Sequence, residues 1–160
     1  MLAADMQFVL LGSGDREYER GYRRLAERHP RKCAVRIGFD TAFSHRIEAG
    51  CDFYLMPSRF EPCGLNQMYS LRYGTVPIVR RTGGLDDSVI DIGEDERQAN
   101  GIKFEEFSAR ALAKAIRKAL VLYADKPLLN RYRRNGMARD FSWESTARQY
   151  SALYRNLKKV

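Results

Sequence analysis

Cysteine, histidine and long apolar runs are what this sequence has least of. Its 160 residues include three cysteines, Cys33, Cys51 and Cys63, with no CxxC spacing, and two histidines, His29 and His45. An odd, scattered set of cysteines excludes a disulfide framework, and nothing here has the spacing of a zinc site. No apolar stretch approaches the roughly 18 residues that a membrane span needs. The opening Met1-Leu2-Ala3-Ala4-Asp5 has neither the basic nor the long apolar segment of a secretory signal. What remains, 44% apolar and 30% charged residues, is the composition of a soluble globular domain. At this length about 70% of the unfolded chain's surface can be buried, so a core needs no staples.

The net charge of +8 raises the question of nucleic acid, and its distribution answers it. Residues 1–102 carry 14 basic against 15 acidic side chains, and residues 103–160 carry 14 against 5. The excess lies on stretches such as Arg110-Ala111-Leu112-Ala113-Lys114-Ala115-Ile116-Arg117-Lys118, where apolar residues keep a helical period and the charges fill the other face. No aromatic residues interleave with those charges as a stacking platform requires, so no nucleic-acid partner is expected. The same residues could help attract an anionic substrate or an acidic surface.

Short apolar runs alternate with longer amphipathic ones. Residues 7–11, 33–38, 52–56 and 75–79 read as strands, and 16–28, 41–49, 64–73, 109–123, 127–139 and 144–158 as helices, with Ser108 and Ser142 as N-caps. Pro77 suits a strand only near its start or at a bulge. Strands separated by helices pair in parallel through right-handed crossovers, which predicts a doubly wound α/β sheet. Ligands in such sheets bind beyond the carboxyl ends of the strands, so the loops 12–15, 39–41, 57–64 and 80–85 are the places to look.

Pro57-Ser58-Arg59-Phe60-Glu61-Pro62-Cys63-Gly64-Leu65-Asn66-Gln67 follows a strand and opens a helix, a setting in which free backbone N–H groups and the helix dipole receive an anion. Arg80-Arg81-Thr82-Gly83-Gly84-Leu85, after the next strand, adds glycines, a hydroxyl and two guanidinium groups that could cradle a diphosphate from a second side. Glu61 puts a carboxylate at the mouth of that site, useful for sugar hydroxyls or a developing cation and poor for phosphate itself. Ordinary turn chemistry would produce either loop alone. Cys33 and Cys51, beside apolar segments, read as small core hydrophobes, whereas Cys63 stands at the anion-binding helix end.

These residues carry a resemblance. Ala42-Phe43-Ser44-His45-Arg46-Ile47, the eleven-residue loop from Pro57, and Arg80-Arg81-Thr82-Gly83-Gly84-Leu85 resemble the C-terminal nucleotide-sugar domain of bacterial glycogen synthases and plant starch synthases; Phe8 to Asp15 and Phe141-Ser142-Trp143 fit as well. The resemblance implies a Rossmann-like parallel sheet flanked by helices, one half of a two-domain GT-B-type glycosyltransferase. It further implies transfer of glucose from ADP-glucose to an α-1,4-glucan with retention of configuration. Glu61 is then the catalytic carboxylate at the donor glucose. Donor binding falls to Phe39 (stacked on adenine), Cys63, the amides of Gly64 and Leu65 (diphosphate), Asn66 (ribose), and Thr82, Gly83 and Gly84 (phosphate or glucose). His45 and Arg46 match the pattern on a helix away from the loop ends and read as structural.

The departures matter equally. Members of that family run to about three times this length, and the Lys-Thr-Gly-Gly-Leu segment of their N-terminal domain is missing here, as are the first strand and helix of the C-terminal domain with their diphosphate-neutralising Arg and Lys. The expectation is therefore a donor-binding domain over residues 1–140, incomplete at its start, and a C-terminal helix over 141–160 of the kind that packs at the domain boundary. Its partners would be ADP or ADP-glucose and, through the missing domain, a glucan, with no metal, no cofactor, no membrane, and a place in the cytoplasm or, in a plant, the plastid stroma. A non-catalytic nucleotide-binding or assembly module is the alternative, disfavoured by the presence of Glu61.

Overall fold

A computed structural model describes residues 4–157, so the expected domain ends at 1–3 and 158–160 lie outside it. Five strands and seven helices run in the order β1 (Phe8–Gly12), α1 (Arg16–Arg28), β2 (Cys33–Ile37), α2 (Thr41–Gly50), β3 (Phe53–Met56), α3 (Asn66–Tyr73), β4 (Val76–Arg80), α4 (Gly83–Ser88), β5 (Ile102–Phe104), α5 (Ala109–Ala124), α6 (Lys126–Met137) and α7 (Trp143–Leu157). Every strand pair is parallel. The ladders, however, divide the expected single sheet in two: β1 pairs with β2, and β3-β4-β5 form a second sheet.

The core lies on the three-stranded sheet. Val76 and Ile78 of β4 join Ile102 and Phe104 of β5 and pack against Ala115, Ala119 and Leu122 of α5 and Leu129 and Tyr132 of α6. Val79, on the other face of β4, meets Leu85 and Val89 with Met56 at the margin. A strand buried on both faces reads as an unbroken apolar run, which is why residues 76–79 carry no polar side chain. Pro77 stands second in β4, opposite Tyr54 and before the ladder to β5 begins at Ile78, the near-start position at which a missing N–H is tolerated.

Capping side chains set most helix starts. Asp15 accepts from Glu17 N–H at 2.7 Å, Asp40 from Phe43 N–H at 2.9 Å, Ser108 from Ala111 N–H at 3.1 Å, Asp125 from Leu128 N–H at 3.0 Å and Ser142 from Ser145 N–H at 3.2 Å. Two elements are not legible as such in the sequence. β5 is three residues with Lys103 at its centre, and α4 opens on Gly83-Gly84, a pair that reads as a turn. α7 buries none of its residues, and Trp143 at its head is 83% exposed.

Candidate functional site

The carboxyl ends of β3 and β4 lie side by side in the sheet, and each feeds a loop and then a helix. α3 and α4, which come after them, have no side-chain cap, in contrast to α1, α2, α5, α6 and α7. In α3 the first helical bond runs from Tyr69 N–H to the Leu65 carbonyl at 3.0 Å. The N–H groups ahead of it have no intrahelical partner and, with the positive end of the helix dipole, form an anion-receptive terminus. The helix begins at Asn66 rather than at Gly64 as the spacing suggests, so Gly64 and Leu65 belong to the turn before it.

Backbone contacts hold the two loops against each other. Gly84 N–H donates to the carbonyls of Glu61 and Pro62, each at 3.2 Å. A Cβ on Gly83 would strike the Glu61 carbonyl, and one on Gly84 the Cys63 carbonyl, so both glycines are required by backbone contact alone. Gly64, at φ +73°, occupies the left-handed region, and a side chain there would meet the Gln67 amide. Gln67 itself is fully buried. Its Nε2 donates to the carbonyls of Cys63 at 3.1 Å and Gly64 at 3.0 Å and to Ser88 Oγ at 3.1 Å, tying the turn to α4. Nothing in the motif singles out Gln67; a large amide on the inward face of a short helix is the signal that marks it.

The expected residues take these places. Glu61 is half-buried, and its carboxylate makes no hydrogen bond or ion pair among the described residues. Gly64, Leu65 and Asn66 stand at the start of α3, and Thr82, as N-cap of α4, keeps its hydroxyl out of the capping bond. Asn66 Nδ2 donates to the Tyr54 hydroxyl at 3.0 Å; burial pushes that phenol up, and the Asn66 bond pulls against it. Phe39 comes after β2, on the other sheet, and at 93% exposed it is no core residue. Cys63 is exposed, its Sγ 3.7 Å from the Gly64 carbonyl, while Cys33 is buried and Cys51 half-buried, with burial pushing both of those thiols up.

The two guanidinium groups expected to cradle a diphosphate are turned to other work. Arg81 pairs with Glu94 at 2.6 Å and Asp86 at 3.1 Å. Arg80 reaches the backbone carbonyls of Ser58, Arg59 and Glu105. Lys103, its side chain 4% exposed, adds bonds to Asp86 Oδ1 at 2.7 Å and Glu94 Oε2 at 3.0 Å. Burial opposes ionisation of Glu94, yet the Asp91 N–H, Lys103 and Arg81 outweigh it and hold the carboxyl at about 2. His45 lies 3.5 Å from buried Glu48, edge-on to Tyr69 and Tyr73, which is the structural role expected of it. Burial pushes the Glu48 carboxyl up, and His45 pulls against it.

Parallel strands that each feed a loop and a helix, with the loops gathered at their carboxyl ends, are the plan of a Rossmann-like α/β fold. The family model of glycosyl transferases group 1 matches residues 2–139, and the chain belongs to that family. It is 56% identical over 156 residues to a glycogen synthase of Myxococcus xanthus and 53% identical over 153 residues to one of Koribacter versatilis, covering 98% and 96% of this chain and 32% of each relative. It therefore spans about a third of the length of the curated relatives it matches. Among solved structures, the catalytic domain of starch synthase IV from Arabidopsis thaliana bound to ADP and acarbose aligns with a TM-score of 0.80 at 37% identity, over 94% of this chain and 32% of that one.

Proposed function

We propose that this chain is the donor-binding portion of a retaining glucosyltransferase that takes ADP-glucose as donor and an α-1,4-glucan as acceptor. The observation that carries the proposal is the uncapped start of α3, with the unpaired carboxylate of Glu61 in the loop that leads into it, in a chain more than half identical to glycogen synthases. On this reading the turn amides of Gly64 and Leu65 and the first turn of α3 take the diphosphate, which Cys63 flanks, and Asn66 faces the ribose. Phe39 offers its ring to the adenine, and Thr82, Gly83 and Gly84 line the phosphate and glucose side. The Gly84 N–H is already engaged with the opposite loop, so that loop's part in binding falls to Thr82. Glu61 stabilises the cationic character that develops on the glucose as the diphosphate leaves. The reading calls for no metal or cofactor. On this reading the glucan acceptor is met through an N-terminal domain outside the given residues, and the reaction belongs in the cytoplasm or, in a plant, the plastid stroma.

Calorimetry on the 160-residue chain should show ADP binding at millimolar concentration, and alkylation of Cys63 should be the fastest of the three cysteines and slowed by ADP. No glucose transfer is expected from the chain alone, because positioning by both walls of a cleft contributes on the order of 7–11 kcal/mol of a barrier. A folded chain that gives no heat with ADP and leaves Cys63 labelling untouched would remove the donor site from this helix end.

A further inference from the structure

Arg80 closes β4 where three loops converge. Its Nε donates to the Ser58 carbonyl at 2.8 Å, Nη1 to the Glu105 carbonyl at 3.4 Å and Nη2 to the Arg59 carbonyl. The guanidinium carbon lies 5.9 Å from the centre of the Phe107 ring. All three acceptors are backbone oxygens and none is a carboxylate. The contact therefore depends on a planar fork of donors matched to a fixed backbone shape, which a single ammonium cannot reproduce. Ser58 and Arg59 precede Glu61 by three and two residues, and the Gly84 N–H holds the carbonyls of Glu61 and Pro62. The segment that presents Glu61 is thus gripped on both sides.

We propose that Arg80 is a positioning residue for the Glu61 carboxylate: it fixes the Ser58–Arg59 backbone, and through it the direction in which Glu61 faces the donor sugar, without touching the donor itself. The inference rests on the donor-binding reading above. A basic side chain next to an anion site invites the opposite role, direct neutralisation of the diphosphate. Against that role, each of the three nitrogens spends one N–H on a backbone carbonyl, which pins the guanidinium plane to these loops and leaves only two of its five N–H groups for any other partner. What Arg80 governs is then the sugar end of the ligand, with the phosphates left to the α3 terminus.

The test uses the 160-residue chain with Arg80→Gln, Arg80→Lys, Glu61→Gln and the Arg80→Gln/Glu61→Gln pair, titrated with ADP and with ADP-glucose. Each Arg80 variant should keep ADP affinity within about twofold and lose about fivefold or more of the preference for ADP-glucose over ADP, and the pair should lose no more than Glu61→Gln alone. In the ligand-free chain, backbone order parameters over residues 59–61 should fall below about 0.6 in both Arg80 variants, from the roughly 0.85 of rigid backbone, while β4 and α3 stay rigid. The proposal is overturned by equal losses for the two nucleotides, by full restoration in Arg80→Lys, by additive losses in the pair, or by a wild-type chain with no preference for ADP-glucose. A wild-type chain that binds neither nucleotide instead defeats the donor-binding reading, and unchanged order parameters over residues 59–61 then defeat the role of Arg80 as well. Arg80→Lys keeps the charge and the aliphatic stem, so the relaxation measurement stands even where Arg80→Gln does not fold.

Discussion

At the scale of single residues, Phe39 gives the sharpest claim. A phenyl ring 93% exposed at the carboxyl end of a strand stays in water unless something stacks on it. On the donor-binding reading that partner is a purine, and stacking of this kind contributes roughly 1–3 kcal/mol. Phe39→Ala should weaken ADP by about fivefold to a hundredfold or more and leave inorganic diphosphate unchanged; titration calorimetry with both ligands decides it, and equal losses would place the ring away from the base. The choice of Phe39 came from the resemblance alone, whereas the places of Glu61 and Gly64, in the loop after β3 and ahead of α3, were legible in the motif. Gln67 and Arg80 were not, since their parts depend on which way a long side chain turns, and only packing fixes that.

Among the elements, β5 and α4 are bound together through charge. Lys103 projects from the centre of β5 onto Asp86 of α4 and Glu94 of the turn beyond it, and Arg81 joins the same two carboxylates. Glu94, held at about 2 against an ordinary 4.5, binds its proton more readily in the unfolded chain. Stability from this group is therefore complete above about pH 4.5 and is lost as pH falls from there toward 2. Glu94→Gln should cost about 1–2 kcal/mol at pH 7 after solvent screening, and the gap from wild type should narrow by pH 3; urea unfolding at both pH values measures it. The network also explains what the sequence concealed. A lysine at the centre of a three-residue strand leaves too short an apolar run to mark it, and its neutralisation by residues 9 and 17 positions away is invisible without the fold. By contrast α1 was legible in full, from Arg16 to Arg28, because its cap, its first-turn acids and its period all agree.

Over the whole molecule, the division of the sheet decides how stability is distributed. No ladder joins β1-β2 to β3-β4-β5 among the described residues, and the buried clusters all belong to the second sheet. Arg36 helps connect the small sheet to α2, through Asp40 at 3.1 Å and the Phe43 ring at 5.0 Å. Hydrogen exchange should accordingly find weaker protection in Phe8–Gly12 and Cys33–Ile37 than in Val76–Arg80. A common rate for both sheets would show that they open as one unit. A doubly wound plan was readable from the alternation of strands and helices; the break in it was not, because hydrogen-bond pairing between distant strands leaves no local mark.

The exposure of α7 has a practical corollary in spectroscopy. Trp143 is the single tryptophan of the chain and stands 83% in water at the head of a helix that buries nothing. Its indole is hydrated before any unfolding begins, so its emission is nearly blind to the loss of the core. Tyr132, 3% exposed between α6 and the sheet, is the chromophore whose surroundings collapse with the fold. Near-ultraviolet dichroism of the tyrosines, rather than tryptophan fluorescence, is the signal that tracks the native state of this protein.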